Sequence, residues 1–226
     1  MKKQLTTLAL AAGLAAGGLL AATPAQAADR TCRGTIANTT VSGNVVVPAG
    51  ATCKLSRVVV RGDVKVGRDS SLGTYYGTVQ GNIQGTTAPR TVLVSRTHVK
   101  GDVQAKQAGS VQVLNARVWG NVQAERTSGA TRVLNTRIGG DLQTKYQALR
   151  AEGNGVNGNI QHEEGKTGWI VRNSVRGDVQ VFKNRGQQRI SYNTVRGNLQ
   201  CKENSPRPVG GQNKVSGSKE DQCRTL

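Results

Sequence analysis

The hexapeptide VRGDVQ, residues 175–180, contains the tripeptide Arg-Gly-Asp and is one of ten related copies along the chain. The copies share an apolar residue, a variable residue, a glycine and in nearly every case an Asn or Asp. Their glycines are Gly43, Gly62, Gly81, Gly101, Gly120, Gly140, Gly158, Gly177, Gly197 and Gly217, which are 18 to 20 residues apart. A period of this kind is the signature of an architecture in which each repeat stacks on its neighbours.

The residues two before and two after the glycine are apolar in almost every copy, as Val175 and Val179 are around Gly177. This alternation indicates strands with one buried face. The unit is too short for a propeller blade and lacks the leucine-rich repeat pattern. The sequence therefore predicts an all-β, single-domain parallel β-helix (solenoid) of about ten coils of 18–20 residues. The absence of clean six-residue subrepeats favours a right-handed winding.

Equivalent positions of a parallel solenoid stack about 4.8 Å apart, so each sequence column becomes a ladder. Glutamine occupies the third position after the glycine in seven successive coils, where its amides can hydrogen-bond to one another. These residues are Gln84, Gln104, Gln123, Gln143, Gln161, Gln180 and Gln200. In a second column, four before the glycine, Asn154, Asn173, Asn193 and Asn213 recur. Since asparagine tolerates unusual backbone angles, these four predict a corner of the coil.

The position after the glycine alternates between Asn and Asp from Asn44 to Asn198. Its carboxylates are Asp63, Asp102, Asp141 and Asp178. Alternation keeps like charges two coils apart and lets an Asn donate to a neighbouring Asp. The Arg-Gly-Asp tripeptides at 61–63 and 176–178 are therefore interpreted as parts of this ladder, and an adhesion signal is the alternative.

Residues 1–27 have a basic start, an interrupted apolar run and the sequence Ala-Gln-Ala, so they are predicted to be a secretory signal peptide. Residues 28–226 are then the solenoid domain, secreted, extracellular or cell-wall associated, without a membrane span. Removal of Lys2 and Lys3 leaves 29 basic and 13 acidic residues, a net charge of +16. Such a chain is expected to bind polyanions outside the cell. An aromatic content of 3% argues against sugar stacking, against base stacking and against a specific nucleic acid partner.

Four cysteines in an exported chain predict two disulfides. Cys32 and Cys53 lie about one coil apart near one end, and Cys201 and Cys223 lie about one coil apart near the other. A link between opposite ends would exceed disulfide reach, so the predicted pairs are Cys32–Cys53 and Cys201–Cys223. They would hold the terminal coils, which have a neighbour on one side only.

Catalytic, metal and cofactor sites are not predicted. The ladder carboxylates share nearly identical surroundings, whereas a catalytic pair needs one acid and one base in different environments. Residues 161–165, Gln-His-Glu-Glu-Gly, are the densest polar cluster. Zinc needs three or four converging ligands, and the only other histidine, His98, lies three coils away. The cluster is interpreted as a solvated loop.

Basic residues recur in outward positions. Immediately before the glycine stand Arg61, Lys100, Trp119, Arg176 and Arg196, a possible polyanion-binding strip with one aromatic platform. Further outward-leaning arginines are Arg57, Arg96, Arg117, Arg137 and Arg172. The alternative interpretation is that these charges keep the ladder soluble and prevent sheets from aggregating.

The repeated blocks and the Cys-bounded ending NLQCKENSPRPVGGQNKVSGSKEDQC, residues 198–223, resemble a group of exported, functionally uncharacterised β-solenoid proteins of Streptomyces and related actinobacteria. The resemblance implies the fold and an extracellular location, and no activity. The repeat is also similar, more weakly, to that of bactofilins, which polymerise end to end. Lys219 replaces the apolar residue of the last coil, so we expect a polar cap instead of end-to-end contacts.

We therefore expect a secreted, non-catalytic structural or binding protein, a monomer that associates with an anionic wall polymer or polysaccharide. One alternative is a β-helix polysaccharide lyase or hydrolase, a reaction class known on this fold. Another is a surface that assembles laterally or binds a regular lattice through the flat glutamine ladder.

Overall fold

The computed structural model describes residues 28–226, so the predicted signal peptide lies outside the described residues. The described chain contains 29 strands, all paired in parallel, and no helix. Every coil stacks its strands on those of the next coil, as in the pairing of Gln104 with Gln123. The prediction of an all-β parallel solenoid of about ten turns is confirmed, and the right-handed winding stays a prediction.

The strand that follows each glycine contributes to an eleven-stranded sheet, which we call side 3. Its members are β1 (Arg30–Thr31), β3 (Val45–Val47), β5 (Val64–Val66), β8 (Ile83–Gly85), β11 (Val103–Lys106), β14 (Val122–Glu125), β17 (Leu142–Lys145), β20 (Ile160–Glu163), β23 (Val179–Phe182), β26 (Leu199–Lys202) and β29 (Lys219–Asp221). The Gln ladder lies on the outer surface of this side.

The strands before the glycine form an eighteen-stranded sheet with two parts. Side 1 holds the longer strands β6 (Ser71–Tyr75), β9 (Thr91–Ser95), β12 (Ser110–Leu114), β15 (Thr131–Leu134), β18 (Leu149–Glu152), β21 (Gly168–Val171), β24 (Gln188–Ser191) and β27 (Val209–Gly211). Side 2 holds the two-residue strands β7 (Thr78–Val79), β10 (His98–Val99), β13 (Arg117–Val118), β16 (Arg137–Ile138), β19 (Gly155–Val156), β22 (Ser174–Val175), β25 (Thr194–Val195) and β28 (Lys214–Val215). The first two coils run through both sides as β2 (Gly34–Val41) and β4 (Thr52–Val60).

A residue with positive φ separates side 1 from side 2 in every coil. The ten residues are Asn38, Arg57, Tyr76, Arg96, Asn115, Asn135, Gly153, Arg172, Tyr192 and Gln212. The alternation of buried and outward side chains slips there, since Leu114 and Asn115 are both accessible between buried Val113 and Ala116. The chain therefore turns a corner at this position, and the buried Asn column begins one residue later.

The prediction that Asn154, Asn173, Asn193 and Asn213 take the unusual backbone angles is wrong, because the residue before each of them does so. These four asparagines are buried, between 1% and 6% exposed. Asparagine recurs in this column because of hydrogen bonding: the amides of Asn154, Asn173 and Asn193 each donate to the asparagine of the next coil, as Asn173 does to Asn193 at 3.0 Å.

The glycines that define the repeat are required by close packing between coils. A Cβ at Gly177 would lie less than 3.0 Å from the side-chain oxygen of Asn159 in the preceding coil and from the backbone of Gly158. The same overlap with an Asn or Asp one coil back recurs from Gly62 to Gly217. The glycine and the Asx residue are thus two halves of one contact, which forms the corner between sides 2 and 3.

The interior is filled by the β-branched columns, in which Val175, Val179 and Ile160 are at most 1% exposed. The two disulfides join Cys32 to Cys53 and Cys201 to Cys223, the pairs that the coil spacing predicts. Their Cα atoms are 5.5 and 5.1 Å apart. At the C-terminal end, residues 222–225 form a turn that brings Leu226 onto the core.

Candidate anion-binding site

The predicted basic strip lies along side 2, at the residue that follows each short strand. Arg61, Lys100, Trp119, Arg176 and Arg196 are all exposed there. The strip is interrupted where the same column holds Gln80, Gly139 and Asn157. The structure therefore brings Lys100 and Trp119 together in one group and Arg176 and Arg196 in another, and it leaves Arg61 apart.

The interruption between these groups is a cavity of about 440 Å³ on side 2. Its walls include Trp119 and Arg117 on one side and Arg176 on the other, with Arg137 and two glycines between them. We call the set Arg117, Trp119, Arg137 and Arg176 the arginine notch. By the coil spacing, Trp119 and Arg176 are about 14 Å apart along the axis, three coils of about 4.8 Å.

Gly139 and Gly155 line the notch between the larger side chains, together with Asn157 and Ser174. A Cβ at Gly139 would overlap the backbone carbonyl oxygen of Trp119, so packing between coils requires glycine there. At Gly155 the nearest atom to such a Cβ is Cγ of Arg137 at 3.9 Å. A larger side chain at residue 155 would therefore fill the notch without straining the coil.

The charges of the arginine notch are not balanced by carboxylates. Arg117 and Arg137 pair in register on adjacent strands, which places two like charges one strand spacing apart. The residues that line the cavity include no Asp or Glu. Within residues 28–226, the carboxylates that form ion pairs are Glu125, Glu152 and Glu164, and their basic partners lie outside the notch. An anionic group bound in the notch would relieve this repulsion.

Trp119 is the aromatic surface of the notch, with 48% of its area exposed. The guanidinium of Arg117 lies 5.3 Å from its ring centroid, and His98 packs edge-on against it at 6.0 Å. Two neighbouring side chains therefore pack against the ring and hold it in place. An exposed, supported indole beside arginines can stack on a ring of a ligand whose charged groups the guanidiniums bind.

Trp119 and Arg176 belong to the strip that the sequence predicts, whereas Arg117 and Arg137 were predicted only to lean outward. The small residues that turn the four side chains into a site were not predicted. A signal was present, because small residues at 139 and 155 occupy outward columns where neighbouring coils carry Arg117, Trp119 and Arg137.

The side chains of the Asp/Asn ladder form hydrogen bonds with the backbone of the next coil. Each ladder oxygen accepts the backbone N–H of the ladder residue in the next coil, as Asp178 does from Asn198 at 2.7 Å and Asn159 from Asp178 at 2.8 Å. The amide of Asn82 also donates to Asp63 at 3.2 Å. Asp178 and Asp63 of the two Arg-Gly-Asp tripeptides are thus held in stacked backbone.

The ladder has one more rung, which lies outside the ten copies of the repeat. Asp29 accepts hydrogen bonds from the amide and the backbone N–H of Asn44, at 2.8 and 3.3 Å. It extends the Asp/Asn alternation by one coil at the N-terminal end. The repeat pattern does not include it, because Ala28 precedes it where the other copies have glycine.

The predicted Gln ladder forms two hydrogen-bonded runs on side 3. Gln123 donates to Gln143 at 2.9 Å, and Gln161 donates to Gln180 at 2.9 Å. A shallow groove of about 410 Å³ follows part of this ladder, bordered on its other edge by alternating Lys106, Glu125 and Lys145. Since its charges alternate in sign, this groove is less suited to a polyanion than the notch on side 2.

The interpretation of residues 161–165 as a solvated loop is wrong. Ile160–Glu163 is strand β20, and the His162 side chain points into the core with 0% exposure. Its Nδ1 hydrogen-bonds with the hydroxyl of Thr144 at 2.9 Å, and burial lowers its pKa from 6.5 to about 4. Within residues 28–226, His, Cys, Asp and Glu nowhere gather in a group able to hold a metal ion.

Comparison with protein-family models, with curated proteins and with solved structures finds no match for this chain. The fold and the site therefore define a class, a disulfide-bonded parallel β-solenoid with a cationic notch on one side. Its two disulfides indicate an oxidising, extracellular environment. Among the described residues, 28–226, no helix has the length and apolar character needed to cross a membrane.

Proposed function

We propose that this protein is a secreted, non-catalytic binding protein that associates with an anionic polymer of the cell envelope or matrix through side 2. The observation that carries the proposal is the arginine notch, where three guanidiniums and an exposed indole surround two glycines and no carboxylate lines the cavity. The class of ligand is a polymer of sugar rings with carboxylate or phosphate groups, because it offers both a ring to Trp119 and charges to the arginines.

Other features support the location and the ligand class. The signal-like residues 1–27, the disulfides and the resemblance to exported actinobacterial solenoids favour secretion. The excess of 16 basic residues after removal of residues 1–27 draws the chain toward polyanions at long range. The remaining strip residues, Arg61, Lys100 and Arg196, extend the positive surface along side 2 beyond the notch.

The proposal is tested by sedimentation of the purified protein with bacterial cell-wall material at rising NaCl. We expect binding that weakens with salt, since exposed charges are screened. The triple variant Arg117→Gln, Arg137→Gln, Arg176→Gln should lose about tenfold in affinity per arginine, as expected for hydrogen bonds between charged groups. Gly155→Glu should give a comparable loss, because it fills the notch and adds a negative charge.

The matched control is Arg68→Gln, Arg90→Gln, Arg185→Gln, which removes the same charge from exposed positions outside the notch. Salt-independent binding, or an equal loss in notch and control variants, would contradict the proposal. The two alternatives have their own readouts. A lyase or hydrolase would release new chain ends from the polymer, and lateral assembly would increase particle size with protein concentration.

A further inference from the structure

The chain contains two tryptophans, and the second, Trp169, lies on side 1 with 40% of its area exposed. It occupies an outward column of the longer strands, between Arg150 and Arg189 in the adjacent coils. Arg132 continues the column one coil before Arg150. We call the set Arg132, Arg150, Trp169 and Arg189 the Trp169 platform.

The platform repeats the chemistry of the arginine notch on side 1. The guanidinium of Arg189 lies 5.1 Å from the centroid of the Trp169 ring. Arg150 is held by Glu152 at 2.8 Å, whereas Arg132 and Arg189 form no ion pair within residues 28–226. Arg132 also stands in register with Arg150, another pair of like charges one strand spacing apart.

The platform lies on side 1 and the notch on side 2. The corner between sides 1 and 2 separates them, at residues such as Asn135, Gly153 and Arg172 with positive φ. Glu152 lies beside this corner and accepts hydrogen bonds from Arg150 and Arg172, which lower its carboxyl pKa. Glu152 and its two arginines together carry a net charge of +1, so the corner of the backbone, and not a negative charge, separates the two sites.

We propose that the Trp169 platform is a second binding site for an anionic, sugar-containing polymer, and that the protein bridges two polymer chains, one on side 1 and one on side 2. This inference rests on the proposed function of side 2. Two sites separated by a corner of the coil do not lie along one straight chain, and each bound chain presents further sites to other protein molecules. The product is a cross-linked network whose strength exceeds that of either contact.

The test uses polygalacturonate, a linear polymer of carboxylated sugar rings, immobilised on beads. The beads are saturated with the full chain, washed and offered a second, fluorescently labelled polygalacturonate. We expect the wild-type protein to capture the labelled polymer. The variant Trp169→Ala, Arg132→Gln, Arg189→Gln should still bind the beads through the notch and should capture at least tenfold less label. Arg150 is left unchanged because it holds Glu152.

The control Arg68→Gln, Arg90→Gln removes the same charge elsewhere and should capture label as the wild type does. Poly-L-glutamate, which has carboxylates and no rings, should be captured less than polygalacturonate. If wild-type protein binds the beads without capturing label, or if the platform variant captures as much as the control, the bridging inference is wrong and the proposed function stands. If wild-type protein does not bind the beads and does not sediment with wall material, both are wrong.

Discussion

At the corner between sides 1 and 2, the N-terminal coils bury small side chains such as Val58 and Ala116, whereas the C-terminal coils bury asparagines at the same place. The asparagines are Asn154, Asn173, Asn193 and Asn213. A second amide ladder, which runs from Asn184 through Asn204 to Gln222, occupies the corner after side 3 in the same half. The backbone therefore takes the same path at this corner in both halves, although the buried side chains are small in one half and hydrogen-bonded amides in the other.

The asparagine ladder satisfies its polar atoms completely. The amide nitrogen of Asn173 donates to the carbonyl oxygen of Ala151 and to Asn193, both at 3.0 Å. Its side-chain oxygen accepts from the backbone N–H and the amide of Asn154, at 3.0 and 2.9 Å. Buried amides are tolerated only when they are bonded in this way.

The two halves are expected to respond differently to a substitution at the corner position. An apolar corner residue contributes contacts in all directions, so its neighbours can adjust when it becomes smaller. An amide in a ladder has partners at defined positions in the coils before and after it, so its loss leaves several buried groups unbonded. The C-terminal half should therefore be the more sensitive to single substitutions.

The largest effect is expected for Asn193→Ala. It removes the side-chain partners of the Asn173 backbone N–H and of the Ile170 carbonyl. It also removes one of two partners of the Asn173 amide and of the Asn213 oxygen, which keep the Ala151 carbonyl and the backbone N–H of residue 193. At about 1–3 kcal/mol for each unsatisfied group, the free energy of unfolding should fall by more than about 3 kcal/mol. Urea denaturation measures the loss.

The comparison is Val58→Ala at the same corner position, which removes two methyl groups and should cost about 2 kcal/mol. Thr194→Ala, exposed beside Asn193, serves as a surface control and should change little. Equal losses for Asn193→Ala and Val58→Ala would show that the amide ladder adds no sensitivity.

Removing each disulfide in turn allows the stability of the two ends of the solenoid to be compared. They close loops of similar length, with sequence separations of 21 and 22, so each should contribute about 3 kcal/mol by restricting the unfolded chain. We expect the double variant Cys201→Ser, Cys223→Ser to lose more than Cys32→Ser, Cys53→Ser. Gln222, beside Cys223, accepts the backbone N–H of Asn204 at 2.9 Å, so opening the last coil also uncaps an amide ladder.

Thermal unfolding of both double variants without reductant measures this difference, and hydrogen exchange locates it. Exchange should spread from the last coil toward Asn184 in the C-terminal variant and stay in the first coil in the N-terminal one. A greater loss at the N-terminal end would contradict the comparison.

His162 makes the C-terminal half sensitive to acid. Burial lowers its pKa from 6.5 to about 4, so the unfolded chain binds a proton between these values and the folded chain does not. The free energy of unfolding should therefore fall as the pH drops from 6.5 to 4, by up to about 3 kcal/mol, and this contribution should level off below pH 4.

Urea denaturation of the wild type and of His162→Gln across this pH range isolates the contribution. The variant should lack this part of the pH dependence, while His98→Gln, at the exposed histidine, should retain it. The same acid sensitivity in His162→Gln and the wild type would contradict the assignment.

The repeat could be predicted from the sequence because the patterns that indicate it are local. Period two around Gly177 reports one buried face, and the spacing of Cys32 from Cys53 reports a single coil. The two wrong predictions concern residue types that can serve two different structural roles. Asn173 was predicted for a backbone angle and serves in a buried hydrogen-bond ladder, and His162 was assigned to solvent although its strand points it inward.

The sequence by itself determined the solenoid, its period, its disulfide pairs and the outward position of Trp119 and Arg176, since alternation and spacing along one chain encode these. Only the tertiary structure decided that Arg117, Arg137 and the glycines at 139 and 155 combine with them into a notch. The reason is that a notch depends on which side chains of four different coils stand beside one another, and on how much volume the small ones leave open. Stacking sets both quantities, and no single repeat contains them.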